Sequence, residues 1–170
     1  EKMHERIMGS FPQTERPAVA GYLVVEFIPF KPALGYEILI GSKIDEGFGP
    51  IITLSKGGDD AEFFAEYYDP PNLFSPPLDF FEAKKAVESL KIRHRYQEIG
   101  HPEYLEKIAD ALARISHLAY TYSFVPENKQ EFILPALDIN PFVFSANGRY
   151  VALDGFAEFI KRDENEVALP

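Results

Sequence analysis

An α+β fold, a mainly antiparallel sheet packed with helices, is predicted by three features of this 170-residue sequence. Short runs rich in β-branched and aromatic residues fill its first third. Two segments of helical period follow, and the chain returns to strand character around Ala146-Asn147-Gly148. The length suits one domain.

Residues 1–9 form a short charged segment predicted to be helical, ended by the Pro12 and Pro17 region. Gly21–Ile28, closed by Pro29, is expected as a buried strand. Lys31-Pro32 and Gly35 mark a turn before a second strand over Tyr36–Ser42, and these two are expected to pair as a hairpin. Asp45–Pro50 is a further turn, and Ile51–Leu54 a third strand that runs into Gly57-Gly58.

Pro70, Pro71, Pro76 and Pro77 make residues 66–79 an extended connection. From Asp79, a suitable N-cap, the spacing of Phe80, Ala83, Ala86, Val87 and Leu90 predicts a helix. A longer helix follows His101, with Pro102 in its first turn. Leu105, Ile108, Ala109, Leu112, Ile115, Leu118 and Ala119 form its apolar stripe, and Asp110 and Arg114 pair on its polar side. Phe132–Phe144 and Tyr150–Leu153 are the closing strands.

A three-residue loop with Gly148 in the left-handed position opposes Phe144 to Tyr150, Val143 to Val151, Phe142 to Ala152, Pro141 to Leu153 and Asn140 to Asp154. Pro141, Val143, Val151 and Leu153 then make a wholly apolar face, expected to be the core face. Opposed Cβ atoms lie about 5 Å apart, so the oxygens of Asn140 and Asp154 can reach one hard cation. They equally suit plain strand ends. A two-residue turn at Asn147-Gly148 would instead oppose Asn140 to Gly155 and turn Asp154 to the other face.

With 27 acidic and 17 basic side chains the net charge is −10, which argues against a phosphate-backbone groove for nucleic acid. No cysteine is present, so disulfides, thiolate metal sites and cysteine nucleophiles are excluded. The longest apolar stretch, broken by Glu26, is too short to span a membrane. Cytoplasmic residence is expected. The opening Glu1-Lys2-Met3-His4 suggests a piece of a longer protein. Walker, nucleophile-elbow and zinc-protease patterns are missing, and His4, His94, His101 and His117 are scattered as surface or capping residues are. Gly57-Gly58 suits either an ordinary turn or a phosphate cradle of backbone amides.

Asp138-Ile139-Asn140-Pro141-Phe142 followed by Val151-Ala152-Leu153-Asp154-Gly155 resembles the end of the ATP-grasp domain of the NDP-forming acyl-CoA synthetases, the group that includes the succinyl-CoA synthetase β chain. Three other stretches agree in order. Gly35-Tyr36-Glu37-Ile38-Leu39-Ile40-Gly41 with Asp45 and Phe48-Gly49-Pro50 is similar to one family segment. Gly57-Gly58 with Glu62 is similar to another, and the helix from 103 to 120 to a third. The resemblance spans residues 20–156 and implies the C-terminal subdomain of an ATP-grasp fold.

By position, the resemblance implies Mg²⁺ ligands at Asn140 and Asp154, with Asp138 as an acidic neighbour of the phosphates. Glu26, Phe27 and Ile28 would present backbone to adenine, and Glu37, Gly57 and Gly58 would line the nucleotide cleft. It also implies phosphoryl transfer between ATP and an acyl phosphate through a phosphohistidine on another domain, and CoA-binding domains as partners. The family's preceding nucleotide-binding subdomain is not in this sequence, so this piece alone is not expected to be active. The family's arginine is replaced by Asn72 or displaced, its glycine- and arginine-containing stretch is rewritten as Ile92–Glu98, and Asp59-Asp60 add negative charge where phosphate would approach. These departures favour an alternative: a degenerate, non-catalytic module with a regulatory or partner-binding role.

Overall fold

A computed structural model describes residues 2–67 and 70–162. Its elements, in order, are α1 (Lys2–Gly9), β1 (Glu37–Asp45), β2 (Gly49–Lys56), α2 (Ala61–Tyr67), β3 (Asn72–Phe74), α3 (Phe80–Ser89), α4 (Ile92–Glu98), α5 (Tyr104–Thr121), β4 (Phe132–Phe144), β5 (Tyr150–Ala152) and β6 (Gly155–Lys161). The fold is α+β, with one six-stranded antiparallel sheet in the order β3-β2-β1-β4-β5 and β6 also on β4.

Alternation along β1 and β2 turns Ile38, Ile40, Ile52 and Leu54 to one face, where they pack on Ala83 and Val87 of α3, Tyr96 of α4, and Ile108, Leu112 and Ile115 of α5. Helix α3 starts at a capping box: Asp79 Oδ1 accepts the N–H of Glu82 at 2.8 Å, and Glu82 Oε2 accepts that of Asp79 at 2.9 Å. Just before it, the buried Ser116 hydroxyl of α5 accepts the N–H of Leu78, joining the two helices. In α5 the predicted stripe is buried at Ile108, Ala109, Leu112, Ile115 and Ala119, whereas Leu118 is exposed; Tyr104, Ala113 and Ser116 are also buried. The helix begins at Tyr104, past Pro102.

The expected buried strand over Gly21–Ile28 is not formed. Leu23, Val24 and Phe27 are 88%, 93% and 86% exposed, and no described strand pairs with the segment. Nor does it form a hairpin with the following strand, because both edges of β1 are taken, by β2 and by β4. The 66–79 connection contains the end of α2 and the short strand β3. Of the aromatics near it, Phe63 and Tyr67 are exposed, and Tyr68 lies outside the described residues.

The last hairpin has the three-residue loop and the expected register, with Gly148 at φ +77°. Leu153 N–H donates to Pro141 O and Asn140 N–H to Asp154 O, which carries the register past β5. The core face, however, is the opposite one. Phe142, Phe144 and Tyr150 pack against the helical core, while of the predicted face Val143 is fully buried outside that core and Leu153 is 40% exposed. The rings offer more apolar area than the aliphatic face, and they stack: Tyr104–Phe144 centroids lie 3.6 Å apart and Phe144–Tyr150 centroids 4.5 Å.

Strict alternation fails along β4. Ile38 opposes Phe142, but Ile40 opposes Ile139, so β4 carries an extra residue around Asn140-Pro141. Pro141 has no N–H to give to the ladder. Leu137 and Ile139 face the helices before the bulge, Phe142 and Phe144 after it. Asp138 and Asn140, alternating with Leu137 and Ile139, therefore point to the face the helices leave open, and the bulge then returns Phe142 and Phe144 to the helices.

Candidate functional site

The open face carries the predicted metal and glycine-loop residues. Glu37 begins β1, Asp138 opposes Gly41, and the Gly57-Gly58 turn leaves β2 beside the start of β1, with Gly57 N–H donating to Glu37 O at 3.0 Å. Asn140 Oδ1 accepts the N–H of Gly58 at 2.8 Å. This bond ties β4 to the glycine turn.

Both glycines are required by close packing. A Cβ on Gly57 would lie 2.7 Å from the Ile38 carbonyl carbon and 3.0 Å from Asn140 Oδ1. Gly58 has φ +87°, and a Cβ there would lie 2.7 Å from Glu37 Oε1. Gly41 makes similar room: its Cβ would meet Thr53 Oγ1 at 2.8 Å, with Asp138 Oδ1 at 3.4 Å, so the Asp138 carboxylate lies across β1.

The electrostatics concentrate on the carboxylates. Partial burial, and then the neighbouring Asp154, push the Asp138 carboxyl above its ordinary value. Burial likewise raises Glu37; Lys56 opposes the rise, and Asp59 and Asp60 add to it. Asp154 Oδ1 accepts the N–H of Gly155 at 2.8 Å. Lys56, which no sequence motif marked, donates to Gly57 O at 3.2 Å.

The predicted adenine-binding stretch lies apart from these groups. Glu26 and Phe27 are exposed, Ile28 is half-buried, and Glu26 Oε1 pairs with Arg149 Nη1 at 2.9 Å beside the β4–β5 turn. Pro29 O accepts the N–H of Ala146 there. From Arg149 to Asp154 the chain advances five residues, roughly 16 Å at strand rise. The candidates thus form two groups, one at each end of β5.

The donor set fits Mg²⁺. Asp154 stands close enough to Asp138 to raise the Asp138 carboxyl further, beyond what burial does, a repulsion that a divalent ion relieves. With the Asn140 amide oxygen they supply hard oxygen donors. No group of three or more His, Asp or Glu side chains able to hold a metal occurs among the described residues. Few carboxylates, with phosphate oxygens completing the shell, is the pattern Mg²⁺ favours over an all-protein cage.

Comparison with known proteins gives the chain's family. The chain is 26% identical over 137 residues to the ADP-forming 4-hydroxybutyrate–CoA ligase of Nitrosopumilus maritimus (strain SCM1), covering 79% of this chain and 17% of that protein. Among solved structures, it aligns with the dinucleotide forming acetyl-coenzyme A synthetase 1 of Ca. Korarchaeum cryptofilum at a TM-score of 0.51 and 25% identity, over 78% of this chain and 55% of that one. That protein was solved in complex with coenzyme A and Mg-AMPPCP, its phosphohistidine segment pointing towards the nucleotide binding site. PH1788 from Pyrococcus horikoshii Ot3 shares the fold at a TM-score of 0.55 and 22% identity, over 78% of this chain and 52% of that one. The chain therefore spans 17% of the curated relative's length and about half of these solved chains. The ATP-grasp domain profile matches residues 1–156, and the chain belongs to the ATP-grasp domain family.

Proposed function

We propose that this chain is the C-terminal, Mg²⁺-holding part of the nucleotide cleft in an ADP- or GDP-forming acyl-CoA synthetase. The observation that carries the reading is the meeting of Asp138, Asn140 and the Gly57-Gly58 turn on one open sheet face, with Asp154 beside Asp138. Mg²⁺ would be held by Asp154, Asn140 and Asp138. When bound, it would neutralise phosphate charge as phosphoryl transfer proceeds.

The chain's own residues position rather than react. Asn140 fixes the glycine turn, Gly41 admits the Asp138 carboxylate, and Glu37 lines the cleft next to Lys56. Backbone at Glu26–Ile28 would face the adenine at the other end of β5. The phosphoryl group would pass between ATP and an acyl phosphate through a histidine on another domain, and CoA-binding domains would complete the enzyme in the cytoplasm. The relatives' complexes with coenzyme A and Mg-AMPPCP support this assignment.

Titration of the full-length protein with ATP and Mg²⁺ tests it. Asp154→Ala is expected to weaken Mg²⁺-dependent ATP binding by about tenfold or more, the loss of one charged ligand; undiminished binding rejects the metal role. Asp59 and Asp60, close enough to act on Glu37, favour a second reading: a degenerate module that regulates or docks without turnover. ATP-dependent CoA thioester formation by the full-length protein would dispose of it.

A further inference from the structure

A cavity of about 510 Å³ lies where the start of β1 and the end of β2 meet α3, α4 and α5. Its floor is apolar, built from Ile38 and Leu54 of the sheet and Ile108 of α5, with Leu90 and Ile92 at the α3–α4 turn. Packed interiors leave few voids much larger than a water molecule, whereas small-molecule sites combine this size with an apolar lining and a few placed polar groups.

Its lining charge runs against that of the chain. Lys56, Lys91 and Arg95 stand there with a single carboxylate, Glu37, among the described lining residues, in a chain of net charge −10. Arg95 is held at the wall by its Nε–H donating to Leu34 O at 3.2 Å and by Nη1 pairing with Glu98 at 3.0 Å. A guanidinium has five N–H donors, so three of them are left for a ligand. Lys56 uses one donor on Gly57 O.

We infer that this cavity is a binding site for a small amphipathic anion, its apolar body on Ile38, Leu54 and Ile108 and its carboxylate or phosphate monoester head on Arg95 and Lys56. The site needs no metal and shares Glu37 and Lys56 with the cleft assigned above, whereas Arg95, Lys91 and the apolar floor belong to it alone, so the probes below are titrated without nucleotide or Mg²⁺.

The test is a methyl NMR titration of the full chain, without nucleotide, using hexanoate, hexyl phosphate and 1-hexanol as probes. At least one anion is expected to shift the methyls of Ile38, Leu54, Ile92 and Ile108 saturably, and the tighter of the two identifies the head group. Hexanol should bind about tenfold more weakly than that anion, the value of one charge-assisted contact. Arg95→Met should show a similar loss, and Ser89→Trp, which fills the cavity, should abolish the shifts. If Arg95→Met unfolds, Lys56→Met provides the same comparison. Equal binding of hexanol and the anions, no saturable shift at these methyls, or undiminished binding in a folded charge-removing variant would overturn the site.

Discussion

Asn140 and Gly58, 82 residues apart, are joined by a 2.8 Å hydrogen bond from the glycine N–H to the side-chain amide oxygen. One side chain thereby links the bulged strand β4 to the turn after β2 on the open face. Asn140→Ala leaves that N–H without its acceptor in a half-buried place. A loss of about 1–3 kcal/mol is expected in urea unfolding. Asn140→Asp keeps an acceptor and adds negative charge near Asp138 and Asp154, so its stability should recover on acidification, whereas that of Asn140→Ala should not.

Gly58 is constrained twice, by φ +87° and by the Glu37 carboxylate 2.7 Å from any Cβ. Gly58→Ala should cost about 1–3 kcal/mol from the backbone alone. Glu37→Ala removes the steric part but not the torsional part. In a double-mutant cycle, Gly58→Ala is therefore expected to cost less in the Glu37→Ala background; strict additivity would show that the carboxylate is not the obstacle.

The Asp138 carboxyl lies above its ordinary 3.8, through burial first and Asp154 second. The folded chain therefore holds this proton more tightly than the unfolded chain. The resulting stability is fully present below about pH 3.8 and is lost as pH rises through the elevated value. Asp138→Asn should raise the unfolding midpoint at pH 7, with the gain shrinking toward acid pH. Asp154→Asn should bring the Asp138 carboxyl down toward 3.8 in a carbon-13 titration, because the second cause is gone.

These residues also mark how far the sequence is legible. The hairpin register follows from a local rule, a glycine in the left-handed position of a three-residue loop, and it extends to Asn140 and Asp154 as the alternation requires. The α3 cap is local in the same way: Asp79 and Glu82 are three residues apart. The core face of β4 is not local. It depends on one inserted residue at Asn140-Pro141 and on aromatic rings arriving from α5, and a period-two pattern contains neither. Helices α2 and α4, seven residues each, are too short to display a period. The exposed run at 21–28 misleads for the opposite reason. Its composition asks for a central strand, but pairing needs a free edge, and β1 has none.

That run makes the most direct prediction about the isolated chain. Among the described residues, no backbone–backbone hydrogen bond anchors 18–28; the nearest such contacts are Pro29 with Ala146 and the bridge of Phe30 to Ser145. Tyr22, Leu23 and Phe27 are accessible chymotrypsin sites, whereas Tyr96, Tyr104 and Phe144 are buried. Opening of such a segment costs little free energy, so cleavage there should precede global unfolding. Brief digestion is expected to cut first between Tyr22 and Phe27. The remaining piece should keep the sheet and its unfolding transition, since the strand order from β3 to β5 involves no residue before Glu37. First cleavage within β4 or α5, or loss of the transition on cutting at 22–27, would mean that the segment is packed on the sheet after all.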